Sequence, residues 1–163
     1  MLIGVVSDTH NNIKNIKKII NLFNEEQVNL VIHTGDITKA ETLQIFSELN
    51  CKITGVFGNN DRKELGLENV CSENNFIFQE PPLLLILNRK KIVIFHEPDL
   101  IEDYINRNKD IDIVLHGHTH RFRQETIGKT SYFNPGESSG FLEGRNSVGI
   151  INLEDSEIRR IFF

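Results

Sequence analysis

Short runs of branched apolar residues alternate along this chain with stretches whose apolar positions recur every three or four residues. The opening run, LIGVVSD, precedes NNIKNIKKIINLFNEEQ, in which Ile13, Ile16, Ile20 and Phe23 keep helical spacing while Lys14, Lys17 and Lys18 fall off the stripe. That period predicts a strand followed by an amphipathic helix. The unit repeats: NLVIHTGD reads as a buried strand, and TKAETLQIFSELN puts Leu43, Phe46 and Leu49 on one helical face, with Thr38 as its N-cap. KITGVFGNND supplies a third strand. This alternation predicts right-handed βαβ crossovers and therefore a parallel sheet.

Further along, LLLIL and KIVIF flank the polar NRK and predict a hairpin. DLIEDYINRN is a helix candidate with Leu100, Ile101, Tyr104 and Ile105 on its inner face, and FRQETI, SYFN, SVGIINL and EIRRIFF carry further β signals between Gly and Asp-Ser turns. The expectation is two mixed β-sheets packed face to face with helices outside. No low-complexity linker or sequence repeat divides the chain, so residues 1–163 are expected to fold as one domain.

Composition narrows the class. At 39% hydrophobic and 25% charged residues the chain can bury a core, and a net charge of -5 without a large Lys/Arg cluster argues against nucleic acid as a large-surface partner. Cys51 and Cys71 lie too far apart for a CxxC site and are expected as free thiols. The N-terminus lacks a basic leader and meets Asp8 early, and no apolar run approaches membrane-spanning length, which predicts a cytoplasmic protein with no membrane partner.

Several apolar strands end in the same chemistry: Asp8 and His10, Asp36, Asn59, His96, then His118 and His120. Ligands of open α/β sheets gather beyond the carboxyl ends of strands, so these seven side chains can meet in one cleft. Alternate residues of an extended chain point the same way, which pairs Asp8 with His10 and His118 with His120. Two carboxylates, an amide oxygen and four imidazoles, with no thiolate, suit Mn, Fe, Co, Ni or Zn at a mixed N/O site, and this many ligands suits two ions.

SDTH, the GD at Gly35 and Asp36, GNND from Gly58 to Asp61, a lone His96 after a strand, and GHTH from Gly117 to His120 together resemble the calcineurin-like metallophosphoesterase superfamily. The order and chain length are most similar to its small single-domain phosphodiesterases of bacteria and archaea, whose NPGS is matched by NPGE at Asn134 to Glu137. The resemblance implies a four-layer αββα sandwich of two mixed β-sheets flanked by helices, with two divalent ions as cofactors, Mn2+ or Ni2+ foremost. It assigns the first ion to Asp8, His10, Asp36 and His120, and the second to Asp36, Asn59, His96 and His118, with Asp36 bridging. It implies hydrolysis of a small phosphate ester, most simply a phosphodiester, by in-line attack of a hydroxide bridging the ions. Asp36, Asn60 and His118 are the catalytic candidates.

The chain departs from the family pattern at Asn60. Many relatives carry GNH, whose His is thought to stabilise the transition state or protonate the leaving oxygen; an amide can hydrogen-bond a phosphoryl oxygen but cannot supply that proton. Glu97 also follows His96 where relatives often have Gly, which predicts a different loop after that strand.

His33 and His116 adjoin the motifs and are expected to be packed, supporting histidines rather than ligands. Asn134 and Glu137 in NPGESSG are candidates to line the pocket, yet a Pro-Gly turn explains most of the stretch and they stay outside the ligand set; the C-terminal Phe residues are expected in the core or in contacts of a homo-oligomer. Two other readings use the same fold: a scaffold for protein interaction, as in the retromer subunit, and a DNA-repair nuclease. The retention of all seven ligands speaks against the first, and the short, acidic chain against the second.

Overall fold

The computed structural model describes residues 1–142 and 144–163. Strand β1 (Leu2–Val6) leads through helix α1 (Ile13–Glu25) to β2 (Leu30–His33), then through α2 (Ala40–Ile45) and a short 3-10 turn (Phe46–Glu48) to β3 (Lys52–Val56), and through α3 (Leu67–Asn74) to β4 (Ile77–Gln79). A hairpin of β5 (Leu83–Leu87) and β6 (Lys90–Ile94) follows, turning on Asn88 and Arg89, both with positive φ. Then come a 3-10 turn (Pro98–Leu100), α4 (Ile101–Arg107), β7 (Ile113–Leu115), β8 (Arg123–Ile127), β9 (Thr130–Asn134), β10 (Ser147–Asn152) and β11 (Glu157–Phe162).

These strands form a six-stranded sheet, β11-β10-β1-β2-β3-β4, and a five-stranded sheet, β5-β6-β7-β9-β8. Both are mixed. β1 to β4 run parallel, as do β6, β7 and β9, while β10, β11, β5 and β8 join antiparallel. Alternation along the strands separates three cores. Ile3, Val5, Ile32, Ile92, Ile94 and Leu115 fill the space between the sheets. Val6, Val31 and Ile53 face Ile16, Ile20, Phe23 and Leu43 of the helices on the other side of the first sheet. Val93 and Val114 meet Ile101 behind the second sheet. Strands buried on both faces read as continuous apolar runs, which is why the sequence showed them without polar alternation. The layers are αββα.

Several local expectations change. Ile13 lies 48% exposed at the start of α1, where the inner stripe is Ile16, Ile19, Ile20 and Phe23, and Asn12 caps the helix by accepting the Asn15 N–H at 3.1 Å. Lys39, not Thr38, holds the cap position of α2, because Thr38 has a φ of 82° and no side-chain cap bond forms. Leu100 is 65% exposed, since Pro98 starts a 3-10 turn that rotates it away from the inner face of α4. α3 and the edge strand β4 lie in a segment whose apolar signal is only Leu67, Val70 and Cys71 on the helix and a largely exposed strand. The two cysteines are free, and Phe163 packs on the helix side of the first sheet while Phe162 stays exposed beneath the Arg160 guanidinium. No helix among the described residues is long and apolar enough to cross a membrane.

Candidate metal centre

All seven expected ligands come together beyond the carboxyl ends of adjacent strands, drawn from both sheets. β1 delivers Asp8 and His10, β2 Asp36 and β3 Asn59; from the facing sheet β6 delivers His96, and β7 delivers His118 and His120. The loops that carry them are unusually bent: Asp8, His10, Asp36, His118 and His120 all have φ between 44° and 67°, a region that non-glycine residues seldom occupy. Such strain persists only where surrounding contacts hold it, and it gathers at functional sites.

Backbone bonds do much of that holding. Asp8 N–H donates to Gly35 O at 3.0 Å and His10 N–H to Asp36 O at 2.9 Å, tying the first two loops together. Gly117 N–H donates to His96 O at 3.1 Å within the second sheet, and His118 N–H to Asp8 Oδ2 at 3.1 Å, which joins the two sheets at the cleft. Gly117 has no room for a side chain, since a Cβ there would collide with Ser7 Oγ, and at Gly58 one would collide with Asp36 Oδ1. Gly35 sits at a φ of 105° with His96 Nδ1 2.6 Å from where its Cβ would be.

The polar atoms inside are mismatched with one another in a way that calls for a cation. His96 Nδ1 donates to Thr34 O at 2.8 Å, which leaves a lone pair on Nε2 of the neutral ring; yet Nε2 faces Asn59 Oδ1 at 3.0 Å and Asp36 Oδ1 at 3.4 Å, both acceptors. His118 Nδ1 approaches the same Asn59 oxygen at 3.0 Å. His120 Nε2 stands 3.4 Å from Asp8 Oδ1, and His10 Nε2 4.0 Å from Asp36 Oδ2. Asp8 Oδ1 and His10 Nε2 are buried without a hydrogen-bond partner. Unsatisfied buried carboxylate and imidazole atoms are costly unless a positive charge completes them.

Two groups of ligand atoms within 4.8 Å of one another emerge: Asp8, His10 and His120, and Asp8, Asp36 and His96. Asp8 belongs to both, and Asp36 reaches His10 with one oxygen and His96 with the other. The carboxylates thus stand between the imidazoles, with Asn59 and His118 at the exposed mouth.

Electrostatics follow from this packing. Burial pushes the Asp8 carboxyl up, against the Ser7 hydroxyl that donates to it. Burial also opposes the charge on Asp36, but His96 and the two Asn60 hydrogen bonds outweigh it and hold its carboxyl well below the usual range. For His96, burial is outweighed by Asp36, which moves the ring upward. The pocket therefore favours added positive charge.

His33 and His116 are buried beside the cleft, as expected of supporting residues. Gly35 N–H donates to His33 Nδ1 at 3.1 Å, so the ring proton sits on Nε2 and goes to Thr9 Oγ1 at 3.0 Å; burial holds this ring's pKa down at about 3. His116 is held at about 4, chiefly by burial, with Nδ1 3.2 Å from Gly117 O. Asn60 donates twice to Asp36: its backbone N–H reaches Oδ1 at 2.9 Å and one hydrogen of Nδ2 reaches Oδ2 at 2.7 Å, leaving the second Nδ2 hydrogen to point elsewhere. Glu97 turns to Arg62, 2.8 Å away, and the loop after His96 leads into the Pro98 turn.

Two supporting residues stand outside the expected ligand set. Asp61, the last residue of GNND, is buried and accepts four backbone N–H groups around the Asp36 loop. Glu137, attributed to a Pro-Gly turn, is buried with Oε2 3.7 Å from His120 Nδ1 and steadies that ring from the side away from Asp8. Carboxylate partners of this kind set the tautomer of a ligating histidine.

A sequence model of the calcineurin-like phosphoesterase superfamily domain matches residues 1–156. The chain belongs to this superfamily. It is 35% identical over 170 residues to phosphodiesterase MJ0936 of Methanocaldococcus jannaschii, covering 99% of this chain and 98% of the relative. The structure of an archaeal phosphodiesterase superposes over 100% of both chains with a TM-score of 0.91 and 32% identity. Vps29 of Entamoeba histolytica complexed with Zn2+ shares the fold at 19% identity, with a TM-score of 0.70 over 99% of each chain. As a calcineurin-like phosphoesterase this protein is a hydrolase acting on phosphoester bonds, in a divalent-metal-dependent family.

Proposed function

We propose that the protein is a phosphodiesterase built on a two-metal centre, with Asp8, His10, Asp36 and His120 holding one ion and Asp36, Asn59, His96 and His118 the other. The observation that carries this is a set of unpartnered or mutually facing acceptors, with Asp8 Oδ1, His10 Nε2 and His96 Nε2 inside the cleft and Asn59 Oδ1 at its exposed mouth. The mixture of carboxylate, amide and imidazole donors fits Mn2+ or Ni2+, and Fe, Co or Zn within the same ligand class. When bound, such ions supply Lewis acidity, lowering the pKa of water and offsetting phosphoryl charge.

The chain's own residues do the rest. Asp61 and Glu137 fix Asp36 and His120 before any substrate arrives, so little reorganisation accompanies binding. Asn60 is exposed at the mouth and has a side-chain amide to offer a phosphoryl oxygen, but no titrating proton for a departing alkoxide. Esters whose leaving groups need no protonation, such as aryl phosphodiesters, are the preferred substrates. The small substrate reaches a cytoplasmic enzyme whose acidic surface turns away long polyanions.

The test is hydrolysis of bis-p-nitrophenyl phosphate by protein loaded with Mn2+ or Ni2+. Turnover that vanishes in Asp36→Ala and His96→Ala, with the circular dichroism spectrum retained, is the expected result. An intact substrate with a folded, metal-loaded protein overturns it, and a stable protein partner in that case would favour the scaffold reading.

A further inference from the structure

An aromatic ring outside the proposed ligand set stands in solvent at the edge of the metal centre. Phe141 is 70% exposed, and Ile13, which lines the same cleft, is 48% exposed. The Phe141 ring lies at 20° to His120 with centroids 5.8 Å apart, and 5.3 Å from the His10 ring. Single exposed apolar side chains are ordinary on a protein surface; these two stand out because both line one cleft beside the proposed ligands.

The ring is held, not loose. Phe141 N–H donates to Glu137 Oε2 at 3.2 Å and Leu142 N–H to Glu137 Oε1 at 2.7 Å, so the carboxylate beside His120 also anchors this turn. Asn12 Nδ2 donates to Ser139 O at 2.7 Å and Asn15 Nδ2 to Ser138 O at 2.8 Å, pinning the preceding residues to α1. The cleft has a volume of about 510 Å3 and is lined by His10, Asn11, Asn12, Ile13, Thr38 and Phe141. Thr38 Oγ1 is buried there without a partner. A fixed aromatic face, an aliphatic wall and a few polar groups are the makings of a site for a flat ring.

Resting on the phosphodiesterase reading, we propose that this cleft is a specificity subsite: a planar aromatic substituent of the phosphodiester stacks on Phe141 and packs against Ile13, while the phosphoryl group lies toward His10 and His120. The subsite selects aromatic over alkyl esters by binding, independently of the leaving-group effect assigned to Asn60.

Calorimetric titration of the Mn-loaded full chain separates the two, because non-hydrolysable ligands have no leaving group. Phenylphosphonate is expected to bind about tenfold more tightly than methylphosphonate, the gain typical of one stacked ring. In Phe141→Ala the two are expected to bind within about twofold of each other, and in Phe141→Tyr the preference returns. The methylenephosphonate analogues of uridine 5′-monophosphate and ribose 5-phosphate, which likewise have no leaving group, show whether the ring is a nucleobase. A preference in either pair that disappears in Phe141→Ala and returns in Phe141→Tyr supports the subsite. The absence of a preference in both pairs, or one that survives in Phe141→Ala, overturns it while hydrolysis of bis-p-nitrophenyl phosphate still stands. If no phosphonate binds and that ester stays intact, the phosphodiesterase reading itself fails, and the subsite with it.

Discussion

Asp61 grips Asp36 by its backbone: Asp61 Oδ2 accepts the Asp36 N–H at 2.9 Å and the Gly58 N–H at 2.7 Å, while Oδ1 accepts those of Ile37 and Thr38 at 2.9 and 2.7 Å. One side chain thus sets the position of the carboxylate that reaches both His10 and His96. Asp61→Ala leaves several buried N–H groups unmatched, so a loss of about 3–5 kcal/mol in urea unfolding is expected, with Asp61→Asn losing less. Metal affinity, read by titration of the folded fraction, is expected to fall about 10- to 100-fold. An Asp61→Ala protein as stable as the parent would overturn this role.

Asn60 predicts a steep dependence on the leaving group. Across a series of diesters from p-nitrophenyl to alkyl, kcat/KM is expected to drop sharply as the leaving-group pKa rises, because the amide donates hydrogen bonds but no proton. Asn60→His is expected to flatten that slope by about 10²-fold at the alkyl end, the size of a typical acid contribution. Equal rates across the series, with chemistry limiting, would count against it.

At Gly117 the prediction is steric. A methyl group there meets Ser7 Oγ and comes within 2.9 Å of Asp8 Oδ2, in a core with no slack. Gly117→Ala is expected to cost about 1–3 kcal/mol in stability and to lose metal binding, read together in thermal melts with and without Mn2+. A melt shifted by metal as much as in the parent would show that Asp8 had kept its place.

His33 and His116 make stability depend on acidity. Both rings have folded-state pKa values below the ordinary 6.5, about 3 and about 4, so the unfolded chain binds protons that the folded one refuses. Their contribution is complete above the unfolded value and is lost as pH falls from about 6.5 toward those folded values, at about 1.4 kcal/mol per pH unit for each ring. His96 is displaced upward, so its effect lies above the ordinary histidine value and has the opposite sign. Urea midpoints of the chelator-treated protein from pH 7 to pH 4 test this, and His33→Gln is expected to reduce the slope. A flat profile in the parent would contradict it.

The sequence carried the parallel strands and their polar ends plainly, because strands such as β1, β2 and β7 are buried on both faces and run straight into the side chains that matter. It was silent where short elements rest on tertiary contacts: α3 has three buried apolar positions, and β4 survives as an edge by pairing with β3. Thr38 looked like a cap, since nothing local reveals that Asp61 already takes its N–H. Asp61 and Glu137 drew no supporting role from sequence for the same reason: turns favour acidic residues anyway, and only the fold shows which backbone donors they face.

The division of the centre between two sheets has a mechanical consequence. Its carboxylates and amide ride on β1, β2 and β3, and all its imidazoles except His10 ride on β6 and β7, so the spacing between them is a measure of how one sheet sits on the other. Ile3, Val5, Ile32, Ile92, Ile94 and Leu115 therefore act as the calibration of the candidate centre: the bulk of side chains buried between the sheets decides how far apart its carboxylates and imidazoles stand.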